Sequence, residues 1–400
     1  MQDSSSRRRF LQTISVAAAA LGLRGSASGA EKKKVIQGFD EYENDPKASA
    51  GWKPVSDRKL RVGIVGYGMC HFGAAFGFQD HPNVEVVAVS DLFPDRCAEL
   101  AKRCRCKKQY PSLEKMVEDD SIEVIFAATD APSHAKHAIM AMKHGKHVAT
   151  AVPAVFGSLE DADRLFETVK QTGLKYMMFE TSCFRANCWA MRQIYKAGGF
   201  GRLVYSEGEY YHYRWRPMGS YGGWRTGMPP LWYPTHSTAY YVGVTDKSFT
   251  SVSCFPVVGE RAEFQADGNQ FGNRFTDEIA IFQTSEGGVS RMLKASKTKH
   301  KGGEVGRVFG ERGWMEGTTY NGDLKKLPSL KRPPLPPGVK GGGHGGSHGH
   351  LCEEFVRSIL EDRKPLVDVV QALNMTVPGI IAHQSALKGG EVMKVPQYTL

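Results

Sequence analysis

The stretch Leu60–Gly73, "LRVGIVGYGMCHFG", decides how this 400-residue chain folds. Leu60, Val62, Ile64 and Val65 read as a buried strand, and the glycines that follow lead into helical residues. A strand that turns on glycine into a helix is the setting in which backbone N–H groups cradle phosphate. Gly66 permits the tight turn, Gly68 lets the backbone approach a pyrophosphate, and the helix N-terminus favours its charge; Tyr67 and Met69 complete the turn. His71 occupies the third position of the pattern and Gly73 comes two residues later, so the fingerprint is imperfect. Asp91 supplies its second half. It ends the next strand, where a carboxylate grips ribose hydroxyls and repels a 2′-phosphate, favouring NAD over NADP. The competing reading makes Asp91 a cap for the helix beginning near Pro94.

Outward from this turn, "VEVVAVSDLF", "IEVIFAATDA", "KHVATAVPAV" and "KYMMFE" repeat the buried-strand pattern, with helical stretches such as "DRCAELAKRC" and "SHAKHAIMAMKHG" between them. The alternation predicts a doubly wound parallel sheet over residues 58–180, an α/β domain that binds the dinucleotide. After Thr181 the texture changes to one helix at "CWAMRQIYKAGG" and longer alternating strands, "RLVYSEGEYYHY", "SFTSVSCF" and "DEIAIFQTS". Residues 181–400 are therefore expected to form an α+β domain around a large open mixed sheet. A proline- and glycine-rich crossing loop, "PSLKRPPLPPGVKGGGHGGSHGH", precedes two helices that pack back onto the body.

Residues 31–57 are polar with scattered aromatics and read as either an ordered arm or a loose linker. Before them, "SRRRFLQ", a short apolar run and "SASGA" resemble a twin-arginine export signal, cleaved after Ala30, which places the mature protein in the periplasm or another extracytoplasmic space. The apolar run is too short to span a bilayer, so no integral membrane segment is expected. The formal charge of +10 falls to +7 without the first thirty residues, which carry Arg7, Arg8, Arg9 and Arg24 against Asp3; the rest is dispersed, and its one dense run, "KASKTKHK" from Lys294, reads as a solvated loop, which argues against a nucleic-acid partner. Eight cysteines show no zinc-like spacing; buried thiols are expected, and no metal. The histidines at 344, 348 and 350 sit in the glycine-rich loop without a carboxylate until Glu353, so His344 is read as a substrate contact instead.

Thr129, His134 and "HGKHV" complete, in order and spacing, a resemblance to the Gfo/Idh/MocA oxidoreductases that runs from about Lys59 to the C-terminus. The resemblance implies a Rossmann domain holding NAD, with Gly66, Tyr67, Gly68, Met69, Asp91, Thr129 and His134 at the cofactor, and a homo-oligomer built through the second domain's sheet. That family carries Glu-Lys-Pro where this chain has Ala151-Val152-Pro153, and Val152 can neither hydrogen-bond a hydroxyl nor hold a charge beside a nicotinamide. Further on, "PLWYPTHSTAYYVG" puts His236 at the family's catalytic histidine, without the usual acidic partner upstream; Tyr233 stands one turn before it. The run Tyr233–His236, with "VPA", "MMFE", "YHYR", Trp224-Arg225 and "GHGG", resembles the superfamily's NAD-dependent glycosidases of the α-N-acetylgalactosaminidase type.

That resemblance implies transient oxidation of a sugar at C3, elimination of the glycosidic group and return of the hydride. His236 suits the base, being near neutrality, and Tyr233 a proton donor or shuttle. His212 and Arg214 are candidate substrate contacts, Trp224 and Arg225 stack on or bind cofactor or sugar, and Glu180 contacts cofactor or is an ordinary buried carboxylate. Two other readings stay open: an ordinary sugar or polyol dehydrogenase, and a catalytically inert protein that binds NAD and sugar.

Overall fold

The computed structural model describes residues 47–216, 218–300 and 303–400. The expected export signal and most of the 31–57 segment lie outside the described residues. Six strands form the first sheet: β1 (Leu60–Val65), β2 (Val84–Ser90), β3 (Gln109–Tyr110), β4 (Val124–Ala127), β5 (His147–Thr150) and β6 (Tyr176–Met178). All pair in parallel, in the order β3-β2-β1-β4-β5-β6. That is the doubly wound order, whose direction reverses between β1 and β4 and leaves a crevice at their C-terminal ends. Val62, Ile64, Ile125 and Phe126 are fully buried, as strands covered by helices on both faces require. The helices Pro94–Arg103, His134–Lys143 and Leu159–Thr172 lie where the sequence pattern put them. The last begins because Ser158 Oγ accepts the Asp161 N–H at 3.0 Å, and stops at Gly173, whose φ of 65° no helix continues through.

The second sheet holds β7 (Leu203–Tyr211), β8 (Phe249–Val258), β9 (Phe275–Thr284), β10 (Val289–Ala295), β11 (Gly303–Gly310), β12 (Gly313–Glu316), β13 (Thr319–Gly322) and β14 (Met393–Lys394). Its order is β13-β12-β11-β7-β10-β9-β8-β14, with β7 and β10 parallel and the other pairs antiparallel. One face packs on helices; the other leaves Val204, Phe255, Val257, Ile281, Val289 and Val305 exposed.

The helix Val369–Leu387 touches β6 of the first sheet and β8 of the second, so both sheets share one core. The sequence reading of "KASKTKHK" needs correction: Lys294 and Ala295 end β10, and Lys294 is only 1% exposed. A lysine in an alternating strand was taken for a solvated charge because the pairing that buries it, β10 between β7 and β9, is made with residues distant in sequence. Among the described residues no helix is long and apolar enough to cross a membrane.

Candidate active site

The crevice between β1 and β4 opens into a cavity of about 420 Å³. Gly66, at φ 90°, closes its floor so tightly that a Cβ there would lie 2.5 Å from the Ala128 carbonyl oxygen. Gly68, at φ 58°, faces open space, the approach a pyrophosphate needs. Gly73 is the packing glycine that the displaced fingerprint concealed: a Cβ on it would meet Gly66 O at 2.5 Å. His71 takes the left-handed conformation at φ 55° and stacks on Tyr67, ring centroids 4.4 Å apart. Asp91 faces the cavity while its Oδ2 accepts the Tyr67 N–H at 2.8 Å and its Oδ1 the Phe93 N–H at 2.9 Å. It thus ties the glycine turn to the residues after β2, but it is not the cap of the following helix, whose N-cap is Phe93 without a side-chain hydrogen bond.

Met69, Thr129, Trp224 and Arg225 complete the walls, with Arg225 lying over the Trp224 ring at 4.1 Å. His137, which the sequence reading passed over, also lines the cavity and holds Thr129 Oγ1 through Nδ1 at 2.9 Å. His134 lies outside this lining. Its ring bridges the Pro153 carbonyl at 2.8 Å and the Thr129 carbonyl at 3.2 Å, tying the loop after β5 to the end of β4.

Beyond Arg225 lies a second, tighter pocket of about 20 Å³, lined by Ala151, Val152, Tyr210, His212, Tyr233, His236 and His344 among others. Ala151 and Val152 are both buried, so no ammonium stands at this point of the loop. The short helix Thr235–Thr238 presents His236, and Thr238 Oγ1 anchors it to the Met375 carbonyl at 2.8 Å. Glu180, just after β6, does not reach the cofactor cavity; its Oε1 accepts from His236 Nδ1 at 2.8 Å and from the Ser182 N–H at 2.8 Å. The acidic partner that the sequence lacked upstream of His236 is therefore supplied from the other sheet. With Nδ1 donating to Glu180, Nε2 is the nitrogen left to act on a ligand.

Burial works against the His236 imidazolium, but the Glu180 and Glu304 carboxylates outweigh it and hold its pKa above the ordinary value. Glu304, on β11, is itself buried, yet His236 and Arg185 pull it down to about 2. Arg185 Nη1 and Ser182 Oγ lie 3.2 and 2.9 Å from its Oε2. Tyr233 has its phenol pushed up by burial, so it stays protonated as a donor. His212 accepts from Arg214 Nη2 at 3.0 Å, and burial keeps it neutral. His344, 5% exposed, stacks 6.0 Å from His236, and burial lowers its pKa to about 4. Tyr210 packs edge-on against His236 at 4.6 Å.

The cavity at the glycine turn and the pocket around His236 thus border one another across Arg225. Residues 60–180 match the Gfo/Idh/MocA family model, described as an oxidoreductase family with an NAD-binding Rossmann fold. Over nearly its full length the chain is similar to a glycosyl hydrolase family 109 protein of Solibacter usitatus (strain Ellin6076), 23% identical over 99% of this chain and 98% of the relative. A protein of the same description from Streptomyces filamentosus is 25% identical over 100% and 91%. Against the first curated relatives, from Porphyromonas gingivalis and Bacteroides fragilis, the alignments are 29% and 32% identical and span only 44% and 35% of their length. Among solved structures, levoglucosan dehydrogenase in complex with NADH gives a TM-score of 0.68 at 17% identity, covering 85% of this chain and 100% of that one. The apo scyllo-inositol dehydrogenase from Lactobacillus casei gives 0.67 at 14%, covering 85% and 99%. At such identities this likeness shows the fold alone.

Proposed function

We propose that this chain, whose residues 60–180 form the NAD-binding Rossmann fold of the Gfo/Idh/MocA oxidoreductases, is an NAD-dependent sugar enzyme that cleaves glycosides without net oxidation. The observation that carries the reading is the Glu180–His236 pair at 2.8 Å, facing a pocket that adjoins the dinucleotide cavity and holds no lysine at Val152. Support for glycoside cleavage comes from the relatives described as glycosyl hydrolase family 109 proteins.

The residues fit the cofactor: Gly66 allows the tight turn, Gly68 leaves the backbone open to a pyrophosphate, Asp91 faces the cavity, and Thr129, Trp224 and Arg225 wall it. NAD, when bound, supplies a reversible hydride acceptor for the sugar's C3, whose ketone acidifies C2–H so that the glycosidic group can be eliminated and replaced by water. His236 Nε2 takes the C3 hydroxyl proton, passes it through Tyr233 to the departing glycosidic oxygen, and so is free to take the C2 proton and return one from solvent when water adds, while Glu180 stabilises the imidazolium at each stage. Tyr233 donates a hydrogen bond to the oxygen that gains charge, or relays the proton to the leaving group. His212 and His344, both neutral, orient hydroxyls as donor or acceptor.

The second reading, an ordinary sugar or polyol dehydrogenase, is favoured by the match of residues 60–180 to an oxidoreductase family. A panel of chromogenic glycosides with and without added NAD⁺, followed by absorbance of NADH, separates the two. NAD-dependent aglycone release with no accumulation of NADH supports the proposal; stoichiometric NADH with free sugars and no aglycone release contradicts it.

The exposed apolar side chains Val204, Phe255, Val257, Ile281, Val289 and Val305 support assembly of copies through the outer face of the second sheet. The Arg-Arg-Arg start supports export in the folded, cofactor-loaded state.

A further inference from the structure

A third cavity, of about 50 Å³, adjoins the sugar pocket across His212 and Arg225 and takes no part in the proton transfers above. Arg214, Arg225, Lys294 and Lys297 line it, against one carboxylate, Glu263. Glu263 is spent on two cations, Arg261 Nε at 2.9 Å and Lys297 Nζ at 3.1 Å. Lys294 and Arg225 have no ion pair among the described residues. Lys294, 1% exposed, makes one hydrogen bond, to Ser296 Oγ at 2.8 Å, and lies 4.8 Å from the Tyr210 ring centre.

The carboxylates across the strand are occupied elsewhere. Asp277 Oδ1 accepts the Ser296 N–H at 2.6 Å and the Lys297 N–H at 3.1 Å, and its Oδ2 accepts from Thr276 and Thr298. Glu278, the β9 partner of Lys294, accepts from His383 at 2.6 Å and the Leu231 N–H at 2.7 Å. Burial, with Arg225 and Arg214 close by, drives the Lys294 ammonium down to about 7 despite Asp277 and Glu278. A buried lysine with two donors unspent either gives up its proton or keeps its charge by taking in a counter-charge. A cavity of this size admits a few atoms of the size of water oxygen.

We propose that this cavity binds an oxyanionic substituent of the substrate, a carboxylate or a sulfate ester on the sugar, with Lys294, Arg214 and Arg225 as its donors. Two guanidinium forks match a planar or tetrahedral oxyanion, and the ammonium adds a point charge. The inference rests on the sugar-enzyme reading and narrows its substrate class to acidic glycosides. It assigns Arg225 a second duty, because this residue borders the cofactor cavity, the sugar pocket and the anion cavity together.

The test is equilibrium binding of matched methyl glycosides to the full, NAD-loaded chain: neutral hexosides, the corresponding hexuronides and the 6-sulfates. The expected result is that one acidic member binds at least about tenfold more tightly than its neutral counterpart, with a tenfold change equal to about 1.4 kcal/mol. Whether the uronide or the sulfate gains identifies the anion. Lys294→Gln and, separately, Arg214→Gln abolish that preference while retaining NAD; two sites of different burial guard against one variant failing to fold. Acidic sugars binding no better than neutral ones, or a preference that survives both substitutions, overturns the proposal. If neutral sugars alone bind, the sugar reading survives without the anion site; if no sugar binds, both fall.

Discussion

At His236, burial and carboxylate charge pull in opposite directions, and the carboxylates win. The acid limb of kcat/KM is therefore expected to have its midpoint above the ordinary histidine value, with activity rising as the imidazole loses its proton. Glu180→Gln removes the stronger of the opposing charges, so the limb shifts to lower pH; an unmoved limb speaks against the pairing. His236→Asn lowers kcat by about 10²–10⁴-fold, the usual worth of a positioned base, with NAD affinity retained. Glu304, held at about 2 from an ordinary 4.5, contributes stability that is complete above its unfolded value and drains away as the pH falls through about 2. Denaturation of wild type and Glu304→Gln between pH 5 and 2.5 is expected to converge toward the acid end. Curves that stay parallel contradict that assignment. Residues tied to a local motif, Gly66, Asp91, Tyr233 and His236, were legible in the sequence because each sits at a fixed offset from a strand or turn. Glu180 was legible as a buried, paired carboxylate but not as the partner of His236, 56 residues on; Glu304 was missed and Lys294 misread, since what surrounds them lies 119 residues away or across a strand register that no short pattern encodes.

Among the elements, β7 and the helix Thr235–Thr238 meet at a glycine. A Cβ on Gly208 would lie 2.0 Å from the Ser237 carbonyl, and the neighbouring β11 glycine, Gly306, would meet the Tyr240 ring at the same distance. Gly208→Ala is therefore expected to push the His236 helix off the sheet, costing about 1–3 kcal/mol in chemical denaturation. Its kcat falls further than the stability loss explains, while NAD titration is unchanged. Wild-type turnover in that variant removes β7 as the platform. Gly66→Ala is the counterpart on the first sheet: its Cβ collides with Ala128 and its φ of 90° disfavours a side chain, so NAD binding is lost by equilibrium titration. The parallel strands of the first sheet were readable as continuous apolar runs. The second sheet was only partly so, because β10 and β11 carry glycine, lysine and glutamate at positions that become buried on pairing.

For the whole molecule, two sheets and one shared helix place the crevice at the glycine turn against the pocket around His236, with Arg225 as the partition. The exposed apolar side chains on the second sheet predict that sedimentation reports an oligomer, and that Phe255→Glu with Ile281→Glu shifts it toward monomer without altering NAD binding; a monomeric wild type contradicts that assembly. The most direct test of the account is turnover of a cleavable glycoside in deuterated water with NAD⁺ present. Sugar released with one deuterium at C2 and no net NADH is the result predicted from His236 acting beside a reversible hydride acceptor. Release with hydrogen retained at C2 would contradict it.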